Sequence, residues 1–304
     1  HIGPGPEALR SLVTPFELML ESPDEDIGDA TYVTDGFSAE EVQATINVAD
    51  LRAVGLTSDY DAQVKAGAGI SETTLFLALA VWAPWGSPVE AFFLVEYDRN
   101  GDGASEGYFI NRYDADAFFV EHTPQGEGEP ERVGRINHID PHRGAIPIHM
   151  SDALVMPLPA ASMGLTLQAP SVRLRVSVYH VHHHGSWGLV DSTDWFPFDP
   201  THQAFDFPAP LPGMPVFPDQ DGAGIPFRWD AAGIHPRGLL LLHHHNPVGE
   251  RLDVLEIDGP GCWRPGDCAE GTVCIPEEGH CVDCSHAADC GLGEYCAGDH
   301  TCVE

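Results

Sequence analysis

The chain has 304 residues, 43% of them apolar, which is enough for one large domain or two moderate ones. Its 47 acidic residues face 13 arginines and a single lysine, so the formal net charge is −33. A field of that sign repels nucleic acid and anionic membrane surfaces, and it attracts cations. The chain starts at His1 and contains no apolar run long enough to span a bilayer. We therefore expect a mature, exported polypeptide with neither a signal peptide nor a membrane insertion.

Residues 1–34 are predicted to form an N-terminal extension. Within them, Leu12–Glu21 is a β-like segment that could pair with the sheet edge of a neighbouring subunit. Such pairing would give the protein a role in self-assembly.

Residues 35–258 are predicted to form one all-β domain of the β-sandwich type. Short runs of β-branched, aromatic and aliphatic residues alternate there with Gly, Pro, Asp and Asn. Runs of that length and composition indicate strands, here Thr74–Trp82, Val89–Tyr97, Gly107–Tyr113, Ala117–Glu121, Ala153–Leu158, Val172–Val181, Gly238–His245 and Leu252–Ile257. The Pro-rich stretch 199–224 is long for a structureless connection, so we expect it to pack over the domain or to serve a function.

The sharpest local motif is the run from Asp98 to Glu106. Calcium takes six to eight oxygen ligands, and a loop with carboxylate or amide side chains at alternate positions, a glycine and a carbonyl supplies them. The residues that fill this scheme are Asp98, Asn100, Asp102, Ala104 and Glu106. The motif predicts a calcium-stiffened hairpin; the alternative is a hairpin whose Asn-Gly and Asp-Gly pairs only turn the chain.

Seventeen histidines raise the hypothesis of a transition-metal site. In a strand, alternate side chains share a face, so two neighbouring strands could each contribute a pair of imidazoles to zinc or copper. The candidates are His1, His182, His184, His243 and His245. The alternative is that these histidines hydrogen-bond to backbone and loops.

The sequence also contains residues typical of two other kinds of site. Tryptophans could form a sugar-stacking platform, although core packing is the commoner role of tryptophans at strand ends; they are Trp82, Trp85, Trp187, Trp195 and Trp229. Serine peptidase chemistry needs a base and an oxyanion hole around the serine. The segments 184–186 and 191–192 hold the right residue types without the strand-to-helix turn that presents such a serine, so we expect loop residues and no enzyme activity.

All eight cysteines lie in residues 259–304 and form one four-cysteine unit written twice, with the first three positions recurring 22 residues later. Their even number in a short, Gly-rich stretch predicts a disulfide framework and an oxidising compartment. The competing interpretation is a zinc ribbon, in which the cysteines would bind zinc. If the cysteines form disulfides, each four-cysteine unit allows three internal pairings. The cysteines are Cys262, Cys268, Cys274, Cys281, Cys284, Cys290, Cys296 and Cys302.

With these segments defined, residues 48–257 resemble the non-catalytic β-rich domain that follows the protease domain in large secreted bacterial subtilisin-like serine peptidases. Phe92–Gly103 is similar to that family's strand and Asp-x-Asn-Gly-Asp-Gly hairpin, and Ala153–Leu165 to its strand and Leu-Gly turn. Val190–Trp195 and the closing strand Gly238–Asn246 resemble two further blocks of the family. The resemblance implies an accessory, exported domain in which the histidines of the closing strand are structural. The Asp, His and Ser motifs of the protease domain are missing, so no activity is implied.

These observations together predict a secreted or cell-surface, non-enzymatic calcium-binding protein with a structural, adhesive or extracellular-assembly role. Its expected partners are a carbohydrate, a cell surface or further copies of itself. One alternative is a copper or zinc protein that uses the clustered histidines. The other is a processed accessory fragment of a secreted serine peptidase.

Overall fold

The structure, a computed structural model, divides into two compact units, His1–Leu255 and Glu256–Glu304. The division lies close to the domain boundary predicted after residue 258. Among the residues that the structure describes, no helix has both the length and the apolar character needed to cross a membrane. The described residues are 12–23, 43, 46–87, 89–114, 117–126, 128–140, 144–145, 151–180, 188–208, 212–219, 224–229, 238–244, 252–256, 273–275, 280–282, 295–296 and 302–303.

Strands dominate the first unit, so the all-β prediction is confirmed. One described α-helix, α1 (Tyr60–Lys65), and a 3₁₀ turn, Ile70–Glu72, follow the second strand. In chain order the strands are β1 (Leu12–Glu21), β2 (Leu51–Ser58), β3 (Thr74–Trp85), β4 (Ala91–Asp98), β5 (Gly107–Tyr113), β6 (Phe118–Pro124), β7 (Glu131–Arg135), β8 (His138–Asp140), β9 (Gly144–Ala145), β10 (Ser151–Pro159), β11 (Val172–His180), β12 (Gly188–Ser192), β13 (Phe196–Phe198), β14 (Phe205–Asp206), β15 (Phe217–Pro218), β16 (Arg228–Trp229), β17 (Gly238–His244) and β18 (Leu252–Glu256).

Two antiparallel sheets pack face to face as a sandwich. The first sheet has the order β10-β3-β2-β1-β17-β18, with β15 added beside β1. The second sheet has the order β12-β11-β4-β5-β6-β7, with β13 added beside β11. Two small sheets, β8-β9 and β14-β16, lie outside them.

The main core fills the space between the sheets. Because successive side chains of a strand face opposite sides, β3 contributes Leu75, Leu77 and Leu79 to this core, where β4 contributes Phe93 and Val95. The intervening β3 residues Phe76, Ala78 and Ala80 join a second apolar cluster on the other face of the first sheet. Burial on both faces explains why β3 is an almost continuous apolar run.

Part of the Pro-rich stretch 199–224 packs on that other face, as expected: Met214 is buried in the second cluster, with Val216 packed against it. Buried polar side chains hold this stretch against the sheet. Glu17 accepts a hydrogen bond from the amide of Phe205 (2.8 Å), and Asp59 accepts one from the amide of Gly213 (2.9 Å). Buried backbone groups need such partners, so these carboxyl groups replace the missing sheet partners of the stretch.

The predicted N-terminal extension needs correction. β1 lies between β2 and β17 in the first sheet, with Leu12 to Leu18 in register with His244 to Gly238. Its hydrogen-bonding edges are therefore used within its own chain. The proposed pairing of Leu12–Glu21 with a neighbouring subunit is wrong for this arrangement, because no free edge remains for a second chain along most of the strand.

The second unit contains two small hairpins, one in each cysteine repeat. They consist of the strands β19 (Val273–Ile275), β20 (His280–Val282), β21 (Tyr295–Cys296) and β22 (Cys302–Val303). In the first hairpin Cys274 is in register with Cys281, and in the second Cys296 is in register with Cys302. The backbone thus repeats the same pairing of the third and fourth cysteine positions in both repeats.

Candidate calcium-binding loop

The predicted calcium loop connects two neighbouring strands of the second sheet. β4 ends at Asp98 and β5 begins at Gly107, while the register of this pair brings Tyr97 opposite Gly107. The amide of Glu106 donates to the carbonyl oxygen of Tyr97 (2.9 Å) and closes the loop at its base. Both ends of the loop are therefore anchored by a rigid strand pair.

Asp98 is the centre around which the loop winds. Its side chain is fully buried; Oδ1 accepts from the amide of Gly101 (2.6 Å) and Oδ2 from the amide of Gly103 (2.9 Å). Gly101 and Gly103 have φ angles of 77° and 85°. These left-handed conformations favour glycine, so the two glycines let the chain bend and present its amides to the carboxylate.

Asn100 and Asp102, which follow at alternate positions, are solvent-exposed. The Oδ1 atom of Asn100 accepts from the amide of Asp102, and the Oδ1 atom of Asp102 accepts from the amide of Ala104, both at 2.8 Å. Side chains that bond two residues ahead stabilise tight turns. These hydrogen bonds agree with the interpretation of the loop as a simple hairpin turn. They also hold the side-chain oxygens of Asn100 and Asp102 on the loop.

Glu106 is the residue that a simple turn does not explain. Its Oε2 atom accepts from the amide of Arg99 (2.6 Å), so the side chain reaches back across the loop. Its Oε1 atom is buried and has no hydrogen-bond partner among the residues that the structure describes. Leaving a buried polar atom unpartnered costs on the order of 1–3 kcal/mol, and the predicted calcium-binding residues therefore include one unsatisfied acceptor.

Arg173 in β11 contacts the loop, and sequence reasoning missed it. Its Nη1 atom lies 3.5 Å from Oδ2 of Asp98, and its guanidinium also faces the ring of Trp195 at 5.9 Å. β4 and β11 are neighbours in the sheet with Arg173 opposite Asp98. Only this long-range register brings the two residues together, and the local motif carries no signal of it.

Aromatic residues pack beneath the base of the loop. The hydroxyl of Tyr97 lies 3.2 Å from Nε2 of His122, whose ring stacks on Phe109 with 4.8 Å between centroids. Burial and then the charge of Glu106 raise the pKa of Tyr97, while burial lowers the pKa of His122. Both pKa shifts favour the neutral forms of Tyr97 and His122. The carboxylates of the loop therefore lie above a less polar environment.

Three or more His, Cys, Asp or Glu side chains at metal-binding spacing are not found among the described residues. A calcium ion at this loop would therefore need other ligands beside the carboxylates, namely the amide oxygen of Asn100 and the carbonyl of Ala104. Oxygen donors of these kinds suit calcium and not zinc or copper.

His243 is the one transition-metal candidate in the described part of the chain. Its Nδ1 atom lies 2.9 Å from Asp219 and its Nε2 atom 3.0 Å from Asp253. Both ring nitrogens therefore lie within hydrogen-bonding distance of a carboxylate oxygen. The two carboxylates occupy the positions from which a metal ion would approach the ring. The other candidates, His1, His182, His184 and His245, lie outside the described residues.

The tryptophans are divided between the core and the surface. Trp85 is fully buried with its ring 5.9 Å from that of Phe93, and Trp82 faces Arg52. Trp195 faces Arg173 and Arg175 on the second sheet. Trp187 and the side chain of Trp229 lie outside what the structure describes, so no common platform of all five is defined.

Asp191 and Ser192 were expected in a loop, and they instead end strand β12. Asp191 accepts from the amide of Leu51 through Oδ2 (3.1 Å). This aspartate therefore connects the two sheets. Ser186 and His184 lie outside the described residues.

The fold defines the class of this protein as an all-β sandwich. Family models, curated proteins and solved structures were all compared with the chain, and none of them matches it. The resemblance to the accessory domains of subtilisin-like peptidases stays a prediction made from the motifs.

Proposed function

We propose that the protein is a non-enzymatic, calcium-binding β-sandwich protein of the cell exterior and that loop 98–106 is its calcium site. The buried Oε1 atom of Glu106, which has no hydrogen-bond partner in the described part of the chain, carries this proposal. A cation beside it would remove the cost of the unsatisfied acceptor. The surrounding ligand types are all hard oxygens, which select calcium or magnesium.

Asp98 can take part although its oxygens already accept hydrogen bonds. A carboxylate offers about four lone-pair sites, so the two hydrogen bonds from backbone amides leave lone pairs for a metal ion. The backbone amides of Gly101 and Gly103 hold this carboxylate in place. It would therefore lose little conformational entropy when calcium binds. Arg173 supplies a positive charge at 3.5 Å in the absence of calcium, and this charge would weaken calcium binding.

The charge of the whole chain also favours cation binding. A net charge of −33 destabilises a compact state through self-repulsion, and a divalent cation at a hairpin reduces it locally. The role that follows is structural: calcium would hold the β4–β5 hairpin rigid on a sandwich used for adhesion or for assembly outside the cell.

The extracellular location rests on the cysteine repeats. In both hairpins the backbone register brings the third and fourth cysteines opposite each other. Directly opposite residues of an antiparallel pair have Cα atoms about 4.5–5.5 Å apart, a separation that a disulfide bridges. Disulfides persist in oxidising compartments, so this register supports secretion.

Calorimetric titration of the calcium-free full chain tests the proposal. We expect one calcium ion per chain, weaker binding of magnesium, and a rise in unfolding temperature with calcium concentration. Asp102→Asn and Glu106→Gln should each weaken calcium binding by about tenfold or more, because each removes a charged ligand.

The matched control is Asp194→Asn, an exposed aspartate elsewhere on the surface, which should bind like the wild type. Absence of binding heat and of any temperature shift up to about 10 mM calcium would sink the proposal. Equal calcium affinities of the wild type and both loop variants would place the calcium site elsewhere in the protein and would also refute the proposal.

A further inference from the structure

The outer face of the second sheet combines aromatic rings with arginines. The inward residues Phe93, Val95, Phe109 and Val120 are fully buried, so their strand neighbours face outward. The outward set, which we call the aromatic–arginine face, contains Phe92, Glu96, Tyr108, Arg112, Phe119, Glu121, Arg173, Arg175 and Tyr179, with Arg132 and Trp195 beside it.

Arginines on this face stack on rings and at the same time pair with carboxylates. Arg112 faces Phe92 at 5.9 Å and Arg132 faces Phe119 at 4.3 Å, while Arg175 faces Trp195 at 4.7 Å. Their carboxylate partners are Glu121 (3.4 Å), Asp114 (2.9 Å) and Glu96 (2.6 Å), respectively. Arginine supplies all but one of the chain's 14 lysine and arginine residues, and on this face three arginines stand in locally neutral pairs.

A groove of about 230 Å³ lies at one end of this face, beside the turn from β5 to β6. It is lined by Val89, Phe92, Asn111, Arg112, Tyr113 and Phe118. Tyr113 is 56% exposed and stacks on Phe118 with 4.6 Å between ring centroids. Asn111 is used inside the fold, because its side chain binds the backbone of Phe93 and Ala91. The groove therefore has apolar walls and one charged pair, Arg112 with Glu121, at its edge.

We propose that this groove and the aromatic–arginine face bind a neutral polysaccharide. One face of a sugar ring consists of C–H groups, which pack against the negative faces of aromatic rings. Sugar hydroxyls both donate and accept, so they match a guanidinium beside a carboxylate. The groove is smaller than the 300–1,000 Å³ of sites for drug-sized ligands, which suits one sugar ring of a chain that continues over the face.

Charge selects a neutral ligand over an anionic one. Three arginines of the face, Arg112, Arg132 and Arg175, are each paired with a carboxylate. The chain as a whole carries −33, so an acidic glycan or a nucleic acid would meet net repulsion. The inference goes beyond the calcium proposal. Arg173 of the face contacts Asp98 of the loop, but no loop residue lines the groove, so variants of the groove test the two proposals separately.

The test uses the full chain and defined probes. Purified protein is mixed with the insoluble neutral polysaccharides cellulose, chitin and β-1,3-glucan, with anionic alginate gel for comparison, in calcium and again in EDTA. The variants are Tyr113→Ala, Tyr113→Phe and Val89→Asp, with Leu167→Ala as the control for an exposed apolar residue outside the groove. Thermal unfolding confirms that each variant is folded.

We expect retention of the wild type on at least one neutral polysaccharide, in calcium and in EDTA alike. Tyr113→Ala and Val89→Asp should weaken it about tenfold, whereas Tyr113→Phe keeps the ring and the binding, and Leu167→Ala has no effect. The proposal is overturned by no retention on any neutral polysaccharide, by retention on alginate alone, or by folded groove variants that bind like the wild type. Binding lost in EDTA but unchanged in the groove variants would also overturn it, by assigning the binding to the calcium loop.

Discussion

Replacing Glu17 by glutamine should remove a pH-dependent loss of stability from the protein. Glu17 is only 1% exposed in the middle of β1, and burial raises its pKa from 4.5 to about 8 despite hydrogen bonds from the amides of Phe205 and Ala204. The folded pKa lies above the unfolded one, so the native state binds the proton more tightly. Stability is therefore fully present below about pH 4.5 and is lost as the pH rises through about 8.

The magnitude follows from the two pKa values. Each pH unit between them corresponds to about 1.4 kcal/mol, so ionisation of Glu17 in the unfolded chain would lower the free energy of unfolding by about 4 kcal/mol between roughly pH 5 and pH 8. Glutamine keeps a carbonyl oxygen for the amide of Phe205 and has no charge at any pH. We expect Glu17→Gln to lose much of the pH dependence and to exceed the wild type in stability at the alkaline end.

Urea unfolding followed by tryptophan fluorescence measures this difference at a series of pH values. Glu129→Gln, the same change at an exposed glutamate, is the matched control and should follow the wild-type curve. Subtracting the curves also removes the contributions of other groups such as Asp59, whose pKa is likewise raised by burial. The reasoning is refuted if the unfolding free energies of the wild type and Glu17→Gln fall in parallel with pH.

Two further predictions concern the loop backbone and the cysteines. Gly103→Ala should cost about 1–2 kcal/mol of stability, because the φ of Gly103 is 85°, in the left-handed region. The control is Gly224→Ala, which should cost much less because Gly224 lies in open space at an ordinary φ. Equal losses of the two variants in urea unfolding would contradict this prediction. The hairpin registers favour the disulfide bonds Cys274–Cys281 and Cys296–Cys302. Peptide mapping of the unreduced chain should find both bonds, and a different connectivity in either repeat would refute the register argument.

The strands were predictable from sequence because their composition is a local property. All eight predicted runs contain or overlap a strand of the structure. β2 was missed because Arg52 and Gly55 interrupt its apolar pattern, and both are explained only by distant partners. Arg52 faces Trp82, and a side chain on Gly55 would collide with Leu240 and Phe16. Which strands pair depends on contacts between residues far apart in the chain, and no short window of sequence contains them.

The candidate sites divide in the same way. The loop from Asp98 to Glu106 could be predicted because its residue types recur at fixed spacing. The approach of Arg173 to Asp98 could not, since it follows from the pairing of β11 with β4. The two carboxylates beside His243 come from β18 and from the residue after β15, so the histidine pattern alone could not show what this ring contacts.

The position of β1 has a consequence for how the chain reaches its native state. The buried contact between Thr14 and His244 spans 230 residues, so the first sheet cannot close until the far end of the domain has been synthesised. Contacts of such high sequence separation slow folding. Until then β1 would lack its β17 partner and present an unpaired edge, the kind of surface that aggregates. A chain without β1 would leave the facing edges of β2 and β17 unpaired permanently, and we expect its yield to depend on chaperones more than that of the full chain.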